Sequence, residues 1–297
     1  MTPDDAAVGS GTAISADNPV NLTDPPTLTG LLQRAQAQGL SRLDAQLLLA
    51  RATGLTRTVL LADGEQPVAA ATQQQFEREC LRRLEGEPLA YIEGCKEFWS
   101  LALQVNSAVL VPRPETELLV ERTLALLPPQ PLQVADLGTG SGAIALALAH
   151  ERPQWSVLGV DRSTAALNVA RDNAQRLALD NVDWRCGHWC EPLAGSLYDA
   201  IVSNPPYVAA DDPALAALRH EPLSALAASD DGYGDLLAII DEARQHLQPG
   251  GWLLLEHGTS QADRLTEALV AAGYARVVCH PDLAGHPRVT EACWPGC

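Results

Sequence analysis

The 297-residue sequence is poor in basic charge and almost devoid of lysine. Twenty Lys and Arg stand against 37 Asp and Glu, the formal net charge is −17, and Lys96 is the one lysine. A protein that coats nucleic acid holds it through phosphate contacts and shows a basic face. This balance counts against such a protein and fits a ligand that carries positive charge. The lysine shortage accompanies an abundance of Ala, Arg and Leu, a mark of genomic base composition, and points to no function. Long hydrophobic runs are missing as well: no stretch approaches the ~18 consecutive apolar residues of a membrane span. No Lys or Arg precedes Arg34 and no apolar segment opens the chain. Neither a secretory leader nor an Arg-rich transit peptide is expected, and the protein reads as cytoplasmic. The seven cysteines (Cys80, Cys95, Cys186, Cys190, Cys279, Cys293 and Cys297) are odd in number and irregular in spacing. That argues against a disulfide framework and for reduced thiols. No internal repeat occurs.

What remains is an ordinary globular composition, 46% apolar, in a chain long enough for one large domain or two ordinary ones. Residues 1–26 are acidic and rich in Gly, Ser, Pro and Ala, and are expected to form a disordered tail. Residues 27–90 read as helical. Leu31, Leu32, Ala35 and Leu40 start an apolar stripe, Leu43, Leu47 and Leu48 continue it, and Gly54 ends a second helix. A third helix is expected over about 68–85. In residues 91–114, Phe98–Val105 and Ala108–Val111 read as two strands of a β-hairpin linker turning at Asn106-Ser107. A helix near 115–127 follows Pro112-Arg113-Pro114. From 115 to 297 the segments Gln133–Leu137, Ser156–Val160, Val182–Cys186, Ala200–Ser203, Trp252–Glu256 and Ala275–Cys279 read as strands. Helices fit near 142–150, 164–178, 234–247 and 261–272. This alternation predicts an α/β fold, an open and mostly parallel sheet with helices on both faces.

Two motifs carry chemistry. In the first, a buried strand ends in Gly138-Thr139-Gly140-Ser141-Gly142 and a helix begins. Glycines let backbone approach a ligand where a Cβ would clash, and a helix start offers unpaired N–H groups. The spacing is not that of the dinucleotide fingerprint, and no lysine follows as in a phosphate-cradling loop. Alone, the run is equally compatible with a structural turn. The next strand, however, ends in Asp161, 23 residues after Gly138. An acid there can accept hydrogen bonds from both ribose hydroxyls. Loop and acid together point to an adenosine-containing ligand.

The second motif is Asn204-Pro205-Pro206-Tyr207, where a buried strand runs into two prolines. Fixed φ angles and missing donors make a stiff loop at the carboxyl end of a strand, where open α/β sheets bind ligands. An amide nitrogen is a poor nucleophile because its lone pair is delocalised. The Asn204 side-chain oxygen and the Pro205 carbonyl can accept its two N–H bonds, which localises the lone pair and aims it at a sulfonium methyl. Tyr207 can pack on the planar group. Such catalysis works by orientation and electrostatics.

With these residues in place, the sequence resembles the peptide chain release factor N5-glutamine methyltransferases from about residue 28 to about 290. The resemblance is carried by Gly86-Glu87-Pro88, Glu97-Phe98-Trp99, Val111–Glu117, the glycine loop, Asn204–Tyr207, Glu221-Pro222-Leu223 and Leu254–Gly258. It implies a Rossmann-like S-adenosylmethionine-dependent methyltransferase fold, with a seven-stranded sheet that has one antiparallel edge strand. It implies that residues 27–90 bind the protein substrate, that 91–114 link, and that 115–297 are catalytic. By the same resemblance S-adenosyl-L-methionine lies against Gly138, Thr139, Gly140, Ser141 and Gly142, its ribose meets Asp161, and its adenine is flanked by Trp189. Asn204 sits near the methyl group and, with Pro205, Pro206 and Tyr207, forms the catalytic loop. The substrate implied is the glutamine of the Gly-Gly-Gln loop of a release factor, and the enzyme is expected to act as a monomer without stable nucleic acid. The sequence departs from the family at His188, where an acid is usual, and in the tail Glu291–Cys297, for which no catalytic role is expected.

Other candidates are weaker. Cys186, His188 and Cys190 offer metal ligands without the usual spacing, and no metal is expected. Glu256 and His257 end a strand and read as structural. Arg113 and Glu115 fit a cap or linker as well as a ligand contact. The glycine loop and Asn204–Tyr207 also leave open a nucleic-acid adenine-N6 methyltransferase, which the acidic charge disfavours, and a non-catalytic binding module, which the intact motif disfavours.

Overall fold

The computed structural model describes residues 25–296. The expected tail therefore lies outside the described residues except for Pro25 and Pro26, as does Cys297. The chain forms two compact units, one ending at Arg78 and one beginning at Glu79.

In the first unit three helices start on a hydroxyl cap. Thr27, Ser41 and Thr56 accept from the backbone N–H of Gly30, Asp44 and Val59 and open helices Leu28–Ala37, Arg42–Thr53 and Arg57–Ala62. Gly54 closes the second in the left-handed conformation. Leu28, Leu31, Ala45, Leu48, Leu49 and Leu60 are buried. The six-residue helix Arg57–Ala62 was not expected; Leu28–Ala37, Arg42–Thr53 and Ala70–Leu84 were.

The second unit opens with the antiparallel pair β1 (Cys95–Phe98) and β2 (Leu101–Gln104). It continues through β3 (Gln133–Leu137), β4 (Ser156–Asp161), β5 (Val182–Cys186) and β6 (Tyr198–Ser203). A two-residue parallel ladder joins β7 (Val208–Ala209) to β8 (Ala227–Ala228). β9 (Leu247–Glu256), β10 (Ala275–Pro281) and β11 (Pro287–Cys293) complete a seven-stranded sheet of order β10-β11-β9-β6-β3-β4-β5. Alternation along the strands feeds two cores. Val134, Ala200, Val202 and Leu254 pack with Leu119 and the helix Ala143–Glu151. Ala135, Leu137, Ile201, Leu253 and Leu255 pack with Leu236, Ile239 and Leu265 from the helices Gly234–Ala243 and Ala262–Ala271. Both faces of the sheet are therefore covered, as parallel strands require. The chain moves from β3 outward to β5 and then returns to β6 on the other side of β3. That reversal opens a crevice at the carboxyl ends of β3 and β6.

Three expectations change. The hairpin turns at Trp99-Ser100, not at Asn106-Ser107, and Ala108–Val111 is not a strand. Both turn residues have positive φ, 51° and 60°, a conformation for which Gly or Asn is the usual signal. Here acids hold it instead: the distant Glu117 accepts from the Trp99 N–H and Glu151 from the Trp99 indole, both at 2.8 Å, and Glu97 of β1 accepts from the Ser100 N–H at 3.0 Å. Secondly, Pro287–Cys293 is a strand, although Pro287 and its polar neighbours disguise it. Thirdly, this strand is the antiparallel one and is not at the edge. It runs against both β9 and β10, which leaves β10 outermost.

Among the described residues no helix is long and apolar enough to cross a membrane. Cys80, Cys95, Cys186, Cys190, Cys279 and Cys293 are free thiols.

One side chain ties the hairpin to the carboxyl edge of the sheet. Asn173, 1% exposed, lies in the helix Thr164–Leu177. Its amide nitrogen donates to the Gln104 and Ser141 carbonyls, both at 3.0 Å, and its oxygen accepts from the Gln104 N–H at 2.7 Å. Asn173→Ala strands these three backbone groups and is expected to cost about 3 kcal/mol, measured as the shift in a urea unfolding midpoint.

Candidate active site

β3 reaches the carboxyl edge and turns through a loop with three left-handed glycines, Gly138, Gly140 and Gly142, at φ of 73°, 56° and 83°. Two of these positions are also closed to a side chain. A Cβ on Gly138 would come within 3.2 Å of the Trp189 ring, and one on Gly142 within 2.9 Å of the Trp184 ring. The turn is held from below. The Thr139 hydroxyl donates to Asp136 Oδ2 at 2.6 Å, and the Ala145 N–H donates to the same oxygen at 3.1 Å. Asp136 is fully buried, and its carboxyl is pushed up to about 7, chiefly by loss of solvent.

The turn is also held from the side. Asp161, at the end of β4, accepts from the Gly140 N–H at 2.9 Å and from the Ser163 N–H at 2.8 Å, one bond on each oxygen. Each oxygen keeps a further lone pair for a donor in the crevice. Trp189, itself at φ of 40°, donates its indole N–H to Asp235 at 3.2 Å. These groups enclose a cleft of about 710 Å³, counting its open side, whose lining includes Gly138, Gly140, Asp161, His188, Trp189 and Asn204.

A second cleft, of about 430 Å³, adjoins it and includes Asn204, Pro205, Tyr207, Arg113 and Leu218. Asn204 belongs to both walls. Its amide nitrogen donates to the Thr116 hydroxyl at 3.1 Å, which leaves its oxygen uncommitted. The loop is braced by Gln261, whose amide donates to the Tyr207 carbonyl at 3.3 Å and the Gly232 carbonyl at 3.1 Å. Arg113 pairs with the buried Glu221 at 2.6 Å, and Glu221 also takes the Val111 N–H at 3.0 Å. Arg113 thus anchors the linker that lines the first cleft through Ala108, Val109 and Leu110.

The residues singled out in the sequence are unequally placed. Gly138, Gly140, Asp161, Trp189, Asn204 and Pro206 line the first cleft; Pro205 and Tyr207 line the second with Asn204. Thr139, Ser141 and Gly142 line neither. Thr139 turns under the loop toward Asp136, the Ser141 carbonyl takes the Asn173 amide, and Gly142 caps the helix. His188 stands on the wall of the first cleft, edge to face with Trp189 at 5.3 Å between ring centres. His257 lies between the Gly258 carbonyl and the Thr290 hydroxyl, each 2.9 Å away, and burial lowers its pKa. Sequence reasoning missed Asp136, Asp235 and Thr116. Thr116 stands 88 residues from its partner, and no spacing signal reaches that far. Among the described residues no group of three or more His, Cys, Asp or Glu is gathered to hold a metal.

The chain matches two known domain families: Methyltransferase small domain over residues 114–226 and PrmC N-terminal domain over residues 28–94. It is 46% identical over 261 residues to the release factor glutamine methyltransferase of Escherichia coli K12, covering 87% of this chain and 94% of that one. It is 49% identical over 251 residues to the protein of that name from Salmonella typhimurium LT2, covering 84% and 91%. The Coxiella burnetii counterpart is 48% identical over 252 residues, covering 84% and 91%. Among solved structures, a methyltransferase from Pyrococcus furiosus superposes with a TM-score of 0.51 at 19% identity, covering 74% of this chain and 100% of that one. The last likeness is one of fold.

Asp136 gives the site a pH signature. An ordinary carboxyl titrates near 3.8, and this one in the folded protein near 7. Below 3.8 both states are protonated; as pH rises through 7 the unfolded state ionises first, and folded stability is lost across that window. Asp136→Asn cannot ionise. The stability of the variant minus that of the unaltered protein is therefore expected to rise by about 2 kcal/mol between pH 5 and pH 8. Paired urea melts at the two pH values measure it.

Proposed function

The chain belongs to the release factor glutamine methyltransferase family, and from that premise we propose that it methylates the side-chain nitrogen of a glutamine in peptide chain release factors. The glutamine is that of the Gly-Gly-Gln loop, and the methyl donor is S-adenosyl-L-methionine. The observation that carries the reading is Asn204 on the wall common to two clefts, with its nitrogen committed to Thr116 and its oxygen free.

The residues of the first cleft fit the donor. Asp161 keeps acceptor capacity for two ribose hydroxyls, and the Trp189 ring offers a flat wall for adenine. The backbone at Gly138 and Gly140 gives a floor without side chains, and the cleft carries the carboxylates of Asp161 and Asp235, which suit a ligand bearing a sulfonium charge. Of the acids near the adenine wall, Asp235 is engaged by Trp189. His188 remains, and its neutral ring nitrogen can accept the adenine amino group. When bound, the donor supplies a methyl group on a positively charged sulfur.

The second cleft holds the amide. Asn204 Oδ1 and the Pro205 carbonyl accept the two N–H bonds of the glutamine side chain, and Tyr207 packs against its plane. Resonance in the amide is reduced, and the nitrogen lone pair is turned toward the first cleft. A methyl donor held by Gly138, Gly140, Asp161 and Trp189 would supply its methyl group to that nitrogen, its sulfur leaving with the bonding pair. The nitrogen loses its extra proton afterwards, so no strong base is needed before transfer. Residues 27–90 serve as the substrate-binding domain, 91–114 as the linker and 115–297 as the catalytic domain. The enzyme acts as a monomer in the cytoplasm.

Release factor incubated with the protein and S-adenosylmethionine is expected to gain one methyl group on the Gly-Gly-Gln glutamine, read by peptide mass spectrometry. Asn204→Ala removes the oriented acceptor and is expected to lower turnover by about 100-fold or more while the thermal melt stays unchanged. A folded Asn204→Ala protein with normal turnover, or methyl transfer to nucleic acid instead, contradicts the assignment.

A further inference from the structure

Pro205 and Pro206 stiffen the Asn204–Tyr207 loop but bring no backbone N–H to hold it in place. A stiff segment without donors is placed by its ends. At the entry, the hydroxyl of the fully buried Ser203 donates to the Leu137 carbonyl at 2.7 Å, which ties the loop to the residue before Gly138. At the exit, the Tyr207 carbonyl accepts from the Gln261 amide at 3.3 Å, and the Val208 N–H donates to the Leu226 carbonyl at 3.0 Å.

Gln261 is 4% exposed and lines neither cleft. Both ends of its amide are committed. The nitrogen donates to the Gly232 carbonyl at 3.1 Å as well as to Tyr207, and the oxygen accepts from the Gly258 N–H at 2.8 Å. The Gly258 bond fixes the direction of the amide. Reversed, its nitrogen would meet an N–H and its oxygen would meet two carbonyls, all three contacts mismatched. Gly258 is itself held, since its carbonyl accepts from Nδ1 of the buried His257 at 2.9 Å. Gly232 completes the arrangement. It stands at φ of 89°, and a Cβ there would collide with the Tyr207 carbonyl oxygen and come within 3.0 Å of the Gln261 amide nitrogen. One buried amide therefore reaches both carbonyls because residue 232 has no side chain.

The hold on Tyr207 reaches the reaction through the two prolines. The Pro205 carbonyl, two residues back along a stiff segment, is one of the two acceptors assigned to the glutamine N–H bonds. We infer that Gln261 is a positioning residue, which sets the Pro205 carbonyl against the substrate nitrogen by fixing the far end of the catalytic loop. It touches neither substrate nor donor.

The inference rests on the glutamine reading, and the test separates the two. Steady-state methylation of release factor is measured for the unaltered enzyme, Gln261→Met and Gln261→Glu from pH 6 to pH 9, and S-adenosylhomocysteine binding is measured by calorimetry. Gln261→Met keeps the length of the side chain and removes its hydrogen bonds. Its kcat and kcat/KM for release factor are expected to fall together by about tenfold or more, with KM little changed. The calorimetric stoichiometry is expected to stay the same and the affinity to stay within about threefold, so the lost turnover belongs to folded, donor-binding enzyme. Gln261→Glu keeps the acceptor for the Gly258 N–H. Its other oxygen donates to one carbonyl when protonated and opposes both when ionised. The kcat of Gln261→Glu relative to that of Gln261→Met is expected to fall by about fivefold or more from pH 6 to pH 9. Glu256, His257, Asp230 and Arg264 are common to both variants, so the ratio isolates the introduced carboxyl. A folded Gln261→Met enzyme with full kcat overturns the inference, as does a ratio that stays flat, or a loss of S-adenosylhomocysteine affinity as large as the loss of kcat. Should neither variant fold, Gln261 serves the fold and not the reaction, and the inference falls. An unaltered enzyme that binds S-adenosylhomocysteine but leaves the glutamine unmethylated overturns the reading itself and the inference with it.

Discussion

Everything at the carboxyl edge of the sheet depends on one backbone constraint: the chain must leave β3, turn through three left-handed residues in five, and start a helix. No sequence of side-chain-bearing residues does this cheaply, since each left-handed L-residue costs roughly 1–2 kcal/mol. Glycine removes that cost and opens space, and the space is then used twice. On the inner side the Trp184 ring packs where a Gly142 side chain would stand; on the outer side Trp189 packs over Gly138. The Trp189 wall of the cleft thus stands where it does because Gly138 below it has no Cβ atom.

Glycine gives freedom, and the site needs a single conformation. Two carboxylates supply it. Asp136 grips the loop from inside through Thr139 and the Ala145 N–H, and Asp161 grips it from the neighbouring strand through Gly140. Their environments differ, and so do their uses. Asp136 is sealed, and its raised pKa is the consequence of that burial. Asp161 lines the cleft and has acceptor capacity left over. One acid is part of the fold and the other part of the site, although both flank the same five residues.

The glycine loop, Asp161 and the Asn204–Tyr207 loop were legible in the sequence because each is local. A strand, a turn residue and a helix start lie within a dozen positions and announce themselves. The strand and helix alternation after residue 132 was legible for the same reason. What escaped was set by distant partners. The hairpin turns at Trp99-Ser100, two residues poorly suited to positive φ, because Glu117 and Glu151 arrive from other elements to hold them. β11 was hidden by its polar alternation: Thr290 faces His257, while Glu291 pairs with Arg122 at 3.0 Å. Asparagine at 204 could be read from the sequence; the partner of its amide could not. Thr116 sits 88 residues before it in a turn that reads only as a helix start.

On the proposed reading, the two clefts and their common residue make orientation rather than acid–base strength the dominant effect. A carboxylate placed directly against the amide would accept its hydrogen bonds at least as well as an asparagine does. It would also place a negative charge beside a positively charged sulfur, stabilising the reactant that must lose that charge in the transition state. A neutral amide oxygen accepts the same N–H bonds without that penalty. A carboxylate does stand further back: Glu256, buried at the end of β9, accepts from the Tyr207 hydroxyl at 3.4 Å. The acid-rich composition reaches the reaction centre in this indirect form: carboxylates hold the loops, and neutral groups meet the reacting atoms.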